Sequence, residues 1–98
     1  MVELVREKLP EVEALCRRFG VRELQLFGSA YEGNFSSESS DIDFIVEMPA
    51  TDCRSYFGLL DALEALFGRK VDLLEKQAIK NPYFIDAIRH RRETLYAA

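Results

Sequence analysis

The sequence predicts an α/β protein built on a small mixed sheet of three strands, with a fourth strand as the alternative and helices packed against the sheet. Short runs of branched and aromatic residues, typical of strands, alternate with longer amphipathic segments, typical of helices. Their order along the chain is helix, strand, strand, helix, strand, helix. The 98 residues suffice for one core, so we expect a single domain spanning residues 1–98.

The first predicted helix covers residues 2–19, where apolar side chains recur at every third or fourth position. Pro10 interrupts this pattern, so either the helix kinks there or a second helix begins with Pro10 in its first turn. Gly20 is expected to end the segment in a left-handed conformation. The three predicted strands are residues 21–27, 41–47 and 70–74, and a polar loop is expected over residues 30–40.

Two more helices are predicted in the second half of the chain. Residues 56–67 carry an apolar stripe that stops at Gly68. The last helix is predicted over residues 81–96, with Asn81 as its N-cap and Pro82 at its first position. Leu95 would then lie on the core face of this last helix.

Charge and cysteine content restrict the classes of partner. The chain has 13 basic and 17 acidic residues, a net charge of −4, which argues against direct nucleic-acid binding. Cys16 and Cys53 are too far apart for a metal-binding spacing, so a reduced, cytoplasmic setting is expected. The charged N-terminus is unlike a signal peptide, and without an apolar run of membrane-spanning length we expect no membrane association.

Three carboxylates stand in predicted strands between apolar residues: Asp41, Asp43 and Asp72. Asp41 and Asp43 alternate along one strand and so share a face, and Asp72 could join them if its strand is adjacent. Converging carboxylates repel one another unless a cation lies among them, and Mg²⁺ is the cation that such oxygen ligands suit. The simpler alternative is that Asp-x-Asp marks a strand end or a solvated edge.

Gly28 and Ser29 follow the first strand and favour the functional interpretation. Glycine lets backbone N–H groups approach a phosphate, and the serine adds a hydroxyl donor. The sequence lacks the Gly-x-x-x-x-Gly-Lys-[Ser/Thr] pattern, which excludes a P-loop. Together with the aspartates, the Gly-Ser turn predicts a site for a metal ion and a triphosphate.

At these residues the chain resembles the minimal nucleotidyltransferases of the DNA polymerase β superfamily. The motif consists of Gly28-Ser29, Gly33, Ser40-Asp41-Ile42-Asp43-Phe44 and Val71-Asp72-Leu73. The family pattern is Gly-Ser-x-x-Arg-Gly, five variable residues and Ser-Asp-Ile-Asp-Leu, followed by a later strand with a third acid. The resemblance covers nearly the whole chain and implies the nucleotidyltransferase fold.

The resemblance also implies an activity and the residues that perform it. Gly28 and Ser29 would contact the nucleotide phosphates, and Asp41 and Asp43 would bind Mg²⁺. Asp72 would be the third metal ligand and the general base for the acceptor hydroxyl. Family members often serve as antitoxins beside a small helical HEPN ribonuclease toxin, so we expect AMP to pass from ATP to a hydroxyl of such a partner.

Two alternatives stay open at this point. Glu32 stands where the family has arginine, and a carboxylate facing phosphates would weaken activity; the chain would then neutralise its partner by binding alone. The other alternative is a small-molecule nucleotidyltransferase of the antibiotic-modifying kind. Those enzymes usually carry an additional helical domain for the acceptor, and we expect none within these 98 residues.

Overall fold

A computed structural model describes residues 1–32, 41–49 and 53–98 of the chain. Within these residues the secondary-structure elements are, in chain order, α1 (Glu3–Glu7), α2 (Leu9–Arg18), β1 (Glu23–Phe27), α3 (Ser29–Glu32), β2 (Ile42–Glu47), α4 (Cys53–Phe67), β3 (Val71–Glu75), a 3-10 turn (Lys76–Ala78), α5 (Pro82–Ile88) and β4 (Arg92–Ala97). The predicted loop at residues 30–40 begins inside α3, and its residues 33–40 lie outside the described part.

The strands form one mixed sheet in the order β3-β2-β1-β4. β1 is antiparallel to both of its neighbours, β2 and β4, whereas β2 and β3 are parallel. Parallel neighbours need a crossover connection, and α4 lies in the connection between these two. The predicted mixed sheet is confirmed, in its four-stranded form.

The prediction of one helix over residues 81–96 is wrong in its second half. α5 ends at Ile88, and the chain then forms β4 at Arg92–Ala97, which pairs with β1. Leu95 is buried in the core as expected, but from a strand. These residues form a strand because they pair with the edge of β1, which would otherwise be open. Cross-strand contacts and burial determine strand formation more than the local preference for helix does.

The helix boundaries follow local chemistry. Pro10 lies in the first turn of α2, where a missing N–H costs no hydrogen bond, so the second helix is the alternative that occurs. Gly20 follows α2 with φ +71°, as predicted. Asn81 caps α5 by accepting hydrogen bonds from Tyr83 and Phe84. No helix of the described part is long and apolar enough to cross a membrane.

The hydrophobic core lies between one face of the sheet and the helices α2 and α4. Its fully buried side chains include Val12, Cys16, Leu24, Leu26, Phe44, Val46, Leu59 and Leu63. Because side chains alternate along a strand, Phe27 and Asp43 project from the opposite face, which we call the acid face. α5 lies over the acid face, where Phe84 meets Phe27 edge to face with ring centroids 5.8 Å apart.

Candidate active site

The parallel pairing of β2 and β3 brings two of the predicted acids together. Asp43 and Asp72 are register partners, so both side chains project from the acid face at the same level. The carboxyl group of Asp72 lies within hydrogen-bonding reach of that of Asp43. The sequence left the order of the strands open; the structure places the second and third strands side by side, and the two acids form a pair across them.

The electrostatics of this pair differ from those of an ordinary surface carboxylate. The pKa of Asp43 is raised from 3.8 to about 6, first by burial, then by the hydrogen bond with Asp72 and by the negative charges of Asp72 and Asp41. Because this environment disfavours the charged form, Asp43 keeps its proton to a higher pH than an ordinary carboxyl group does. A bound cation would remove the reason for that retention.

Gly28 closes the site from the end of β1. Its φ of +72° lies in the left-handed region, which side chains other than hydrogen disfavour. A Cβ atom at this position would collide with Oδ2 of Asp43. Position 28 therefore requires glycine for its backbone conformation and for its closeness to the acid pair.

The structure gives fewer contacts for the other two predicted site residues, Asp41 and Ser29. Asp41 immediately precedes β2 and acts on Asp43 through its charge. Among the described residues no three His, Cys, Asp or Glu side chains are grouped so that they could hold a metal ion. The backbone of Ser29 and Glu32 belongs to α3, while their side chains lie outside what the structure describes.

The donor set of the acid pair fits Mg²⁺. Carboxylate oxygens are its usual protein ligands, and two of them together with substrate phosphates are a common arrangement. The pKa of Asp43 is raised first by burial and then by the neighbouring acids, and a divalent cation would relieve the repulsion between these acids. Asp43 and Asp72 are the residues of the described part that could hold the ion.

One contact beside the pair was not predicted from the sequence. The hydroxyl of Tyr56 in α4 donates a hydrogen bond to the backbone carbonyl of Leu73, the residue after Asp72. The pKa of Tyr56 is raised by burial and by the charges of Glu75 and Asp72. In the sequence Tyr56 is one member of an apolar stripe, and nothing there shows that its hydroxyl reaches the neighbouring strand.

Comparisons with known proteins agree with this geometry. The family model of the nucleotidyltransferase domain matches residues 12–95. A Methanocaldococcus jannaschii protein, provisionally named a protein adenylyltransferase, is 45% identical over 75 residues, covering 76% of each chain. The protein adenylyltransferase MntA of Thermococcus cleftensis is 41% identical over 70 residues, covering 68% of each.

Solved structures share the fold. One protein, provisionally described as a minimal nucleotidyltransferase, superposes with a TM-score of 0.78 at 27% identity, over 93% of this chain and 92% of that one. A chain of the complex between the tri-AMPylated HEPN toxin of Shewanella oneidensis and its MNT antitoxin gives a TM-score of 0.66 at 18% identity, over 95% and 72%. The extent of the family match, the sequence relatives and the shared fold show that this chain belongs to the nucleotidyltransferase family, as a member of its minimal type.

Proposed function

We propose that the chain is a Mg²⁺-dependent enzyme that transfers AMP from ATP to a hydroxyl group of a partner protein. The observation that carries this proposal is the pairing of Asp43 with Asp72 beside the Gly28 turn. Relatives named protein adenylyltransferases support the reaction type. The partner we propose is a small helical HEPN-type toxin, which makes the chain a cytoplasmic antitoxin; the AMPylated toxin in the Shewanella complex supports this choice.

The residues of the chain have separate roles in this reaction. Asp43 and Asp72 would hold Mg²⁺, with Asp41 as a third ligand once the ion draws it in, and the ion would shield the phosphate charge. Asp72 also accepts the proton of the acceptor hydroxyl, whose oxygen then attacks the α-phosphorus of ATP. The bond between that phosphorus and pyrophosphate breaks in line with the attack. The backbone N–H groups at Gly28 and Ser29, with the serine hydroxyl, stabilise the departing pyrophosphate.

Intact-mass measurement tests the transfer. The chain is incubated with ATP, Mg²⁺ and a HEPN-type partner, and the mass of both proteins is recorded. We expect an adenylyl adduct on the partner with the wild-type chain and none with Asp43→Ala. Asp61→Ala, which removes an exposed acid of α4 outside the site, is the matched control and should retain transfer. Full transfer by Asp43→Ala would refute these roles.

Glu32 supports a second candidate, in which the chain neutralises its partner by binding alone. A carboxylate at this position opposes phosphate binding, where the family has arginine. In that case the two proteins form a stable complex and neither gains mass. Glu32→Arg then discriminates further, because it should raise nucleotide affinity only if position 32 faces the phosphates.

A further inference from the structure

A cleft of about 410 Å³ opens on the acid face between β3 and the start of α5. Its walls are Leu74, Ala78, Ile79, Lys80, Asn81 and Phe84. We propose that this β3–α5 cleft holds the nucleobase of the triphosphate, with purines preferred over pyrimidines. The proposal rests on the proposed function, and it assigns a base-recognition site to residues outside the acid and Gly-Ser motifs.

The position of the cleft relative to the acids supports this occupant. Asp72 and Leu74 are two residues apart on β3, so their side chains share the acid face at a spacing of about 7 Å. With the reacting phosphate held at Asp72, the ribose spans the next step along the strand. The base then reaches the level of Leu74 without any change in the fold.

Aromatic contacts connect the other wall of the cleft to the same acids. Phe84 of the cleft packs edge to face on Phe27, and Phe27 is the register partner of Asp43. One wall of the cleft therefore packs on the residue that lies beside Asp43 in the sheet. A ligand whose phosphates lie at the acid pair would find the cleft two residues farther along β3.

The chemistry of the cleft matches the faces and edge of a nucleobase. Leu74, although apolar, is 36% exposed, and Phe84 adds an aromatic surface. Asn81 uses its Oδ1 to accept hydrogen bonds from the backbone of α5, at 2.9 Å from the Tyr83 nitrogen. This cap fixes the amide and leaves Nδ2 to donate to a ring nitrogen or carbonyl of the base. A purine gains more contact area on such walls than a pyrimidine.

A neighbouring cavity of about 240 Å³ is a weaker candidate for the base. Its walls are Ile45, Lys76, Ile79, Ile85, Ile88 and Arg92. The ammonium group of Lys76 there is already paired with Glu23 at 3.2 Å and with Glu47 at 3.4 Å. Its volume also falls below the roughly 300–1,000 Å³ of typical ligand sites.

Binding measurements on the whole chain test the assignment, because they separate the base from the phosphates. The affinities for ATP, CTP and tripolyphosphate are measured by calorimetry with Mg²⁺ present throughout. Leu74→Ser should weaken ATP binding about five- to tenfold and leave tripolyphosphate binding unchanged. Leu74→Met, which keeps an apolar wall, should restore ATP affinity. Ile85→Ser is the matched control, since Ile85 is similarly exposed and lines the smaller cavity but not the β3–α5 cleft.

Each remaining outcome overturns the proposal in a different way. Unchanged ATP affinity in Leu74→Ser would exclude the β3–α5 cleft as the base site. The cleft would then be free to contact an acceptor protein. Weakened ATP binding in Ile85→Ser alone would place the base in the smaller cavity. Equal affinity of the wild type for ATP and tripolyphosphate would mean that no base site exists. If neither ligand binds the wild type, the proposed function fails as well.

Discussion

A Cβ atom at the position of Gly28 would collide with Oδ2 of Asp43 unless the Asp43 side chain moved away. Gly28 also has a left-handed φ of +72°. These two constraints are independent, since one concerns the backbone of the turn and the other the position of a proposed metal ligand. They can be separated experimentally, because Gly20 has a nearly identical φ of +71° and open space around its Cβ position.

Gly28→Ala should therefore lose both stability and nucleotide transfer. The left-handed backbone costs about 1–2 kcal/mol of folding free energy for alanine, and the displaced Asp43 side chain disturbs the acid pair. Gly20→Ala should show a similar loss in thermal denaturation while keeping its transfer rate. The rate is followed by intact mass of the partner. Equal transfer rates in the two variants would show that transfer does not depend on the close approach of position 28 to Asp43.

Asp43→Asn should stabilise the metal-free protein at neutral pH. The pKa of Asp43 is about 6 in the fold against 3.8 as the ordinary value, so between these pH values the folded state binds more protons than the unfolded state. Unfolding free energy consequently falls as pH rises through this window, and the contribution present below pH 3.8 is lost above about pH 6. The amide that replaces the carboxyl group in the variant carries no charge, so the variant does not lose this unfolding free energy as the pH rises.

Thermal melts in EDTA at pH 4.5 and pH 7.5 measure the effect. We expect Asp43→Asn to gain about 1 kcal/mol over the wild type at the higher pH, a few degrees in melting temperature, after allowance for solvent screening. Added Mg²⁺ should raise the melting temperature of the wild type and not of the variant. Asp61→Asn serves as the control. A lower stability of Asp43→Asn at pH 7.5 would contradict the charge crowding.

The sequence predicts the acid pair well because strand periodicity determines which face a side chain takes. Asp43 and Asp72 each lie between apolar neighbours, and only adjacency of their strands was left to establish. The same reasoning fails at residues 92–97, which have helix-compatible spacing and become a strand through pairing with β1. Such pairing depends on a partner about 70 residues away, as in the contact between Gln25 and Thr94. Local pattern carries no information about it.

The contacts that complete the site were not predictable for a related reason. Phe27 and Phe84 meet only because α5 folds back over the acid face, and Tyr56 reaches Leu73 across the interface between helix and sheet. Each contact depends on tertiary placement. The residue types alone indicated that Tyr56 packs against the core, which it does while partly buried, but they gave no partner for its hydroxyl.

Tyr56→Phe should destabilise the fold by about 1 kcal/mol, because the variant leaves the Leu73 carbonyl without the hydroxyl donor at its side. Urea denaturation gives the free energy of unfolding. Tyr83→Phe is the matched control. Tyr83 is 85% exposed, so the loss of its hydroxyl should change the free energy of unfolding little. A smaller loss in Tyr56→Phe than in Tyr83→Phe would rule out a stabilising role for the hydrogen bond.

Gln25 is a buried polar residue in the middle of β1, only 8% exposed. Its Nε2 donates to Thr94 Oγ1 at 3.3 Å, whereas its Oε1 is buried without a hydrogen-bond partner among the described residues. An unpaired buried oxygen costs about 1–3 kcal/mol, more than one long hydrogen bond returns.

Gln25→Leu should therefore raise the free energy of unfolding by about 1 kcal/mol. Thr94→Val, which unpairs Nε2 while Gln25 remains, should lower it, and the double variant should recover the gain of Gln25→Leu. If urea denaturation instead shows that Gln25→Leu is destabilising, Oε1 has a solvent partner and the polar pair between β1 and β4 stabilises the sheet.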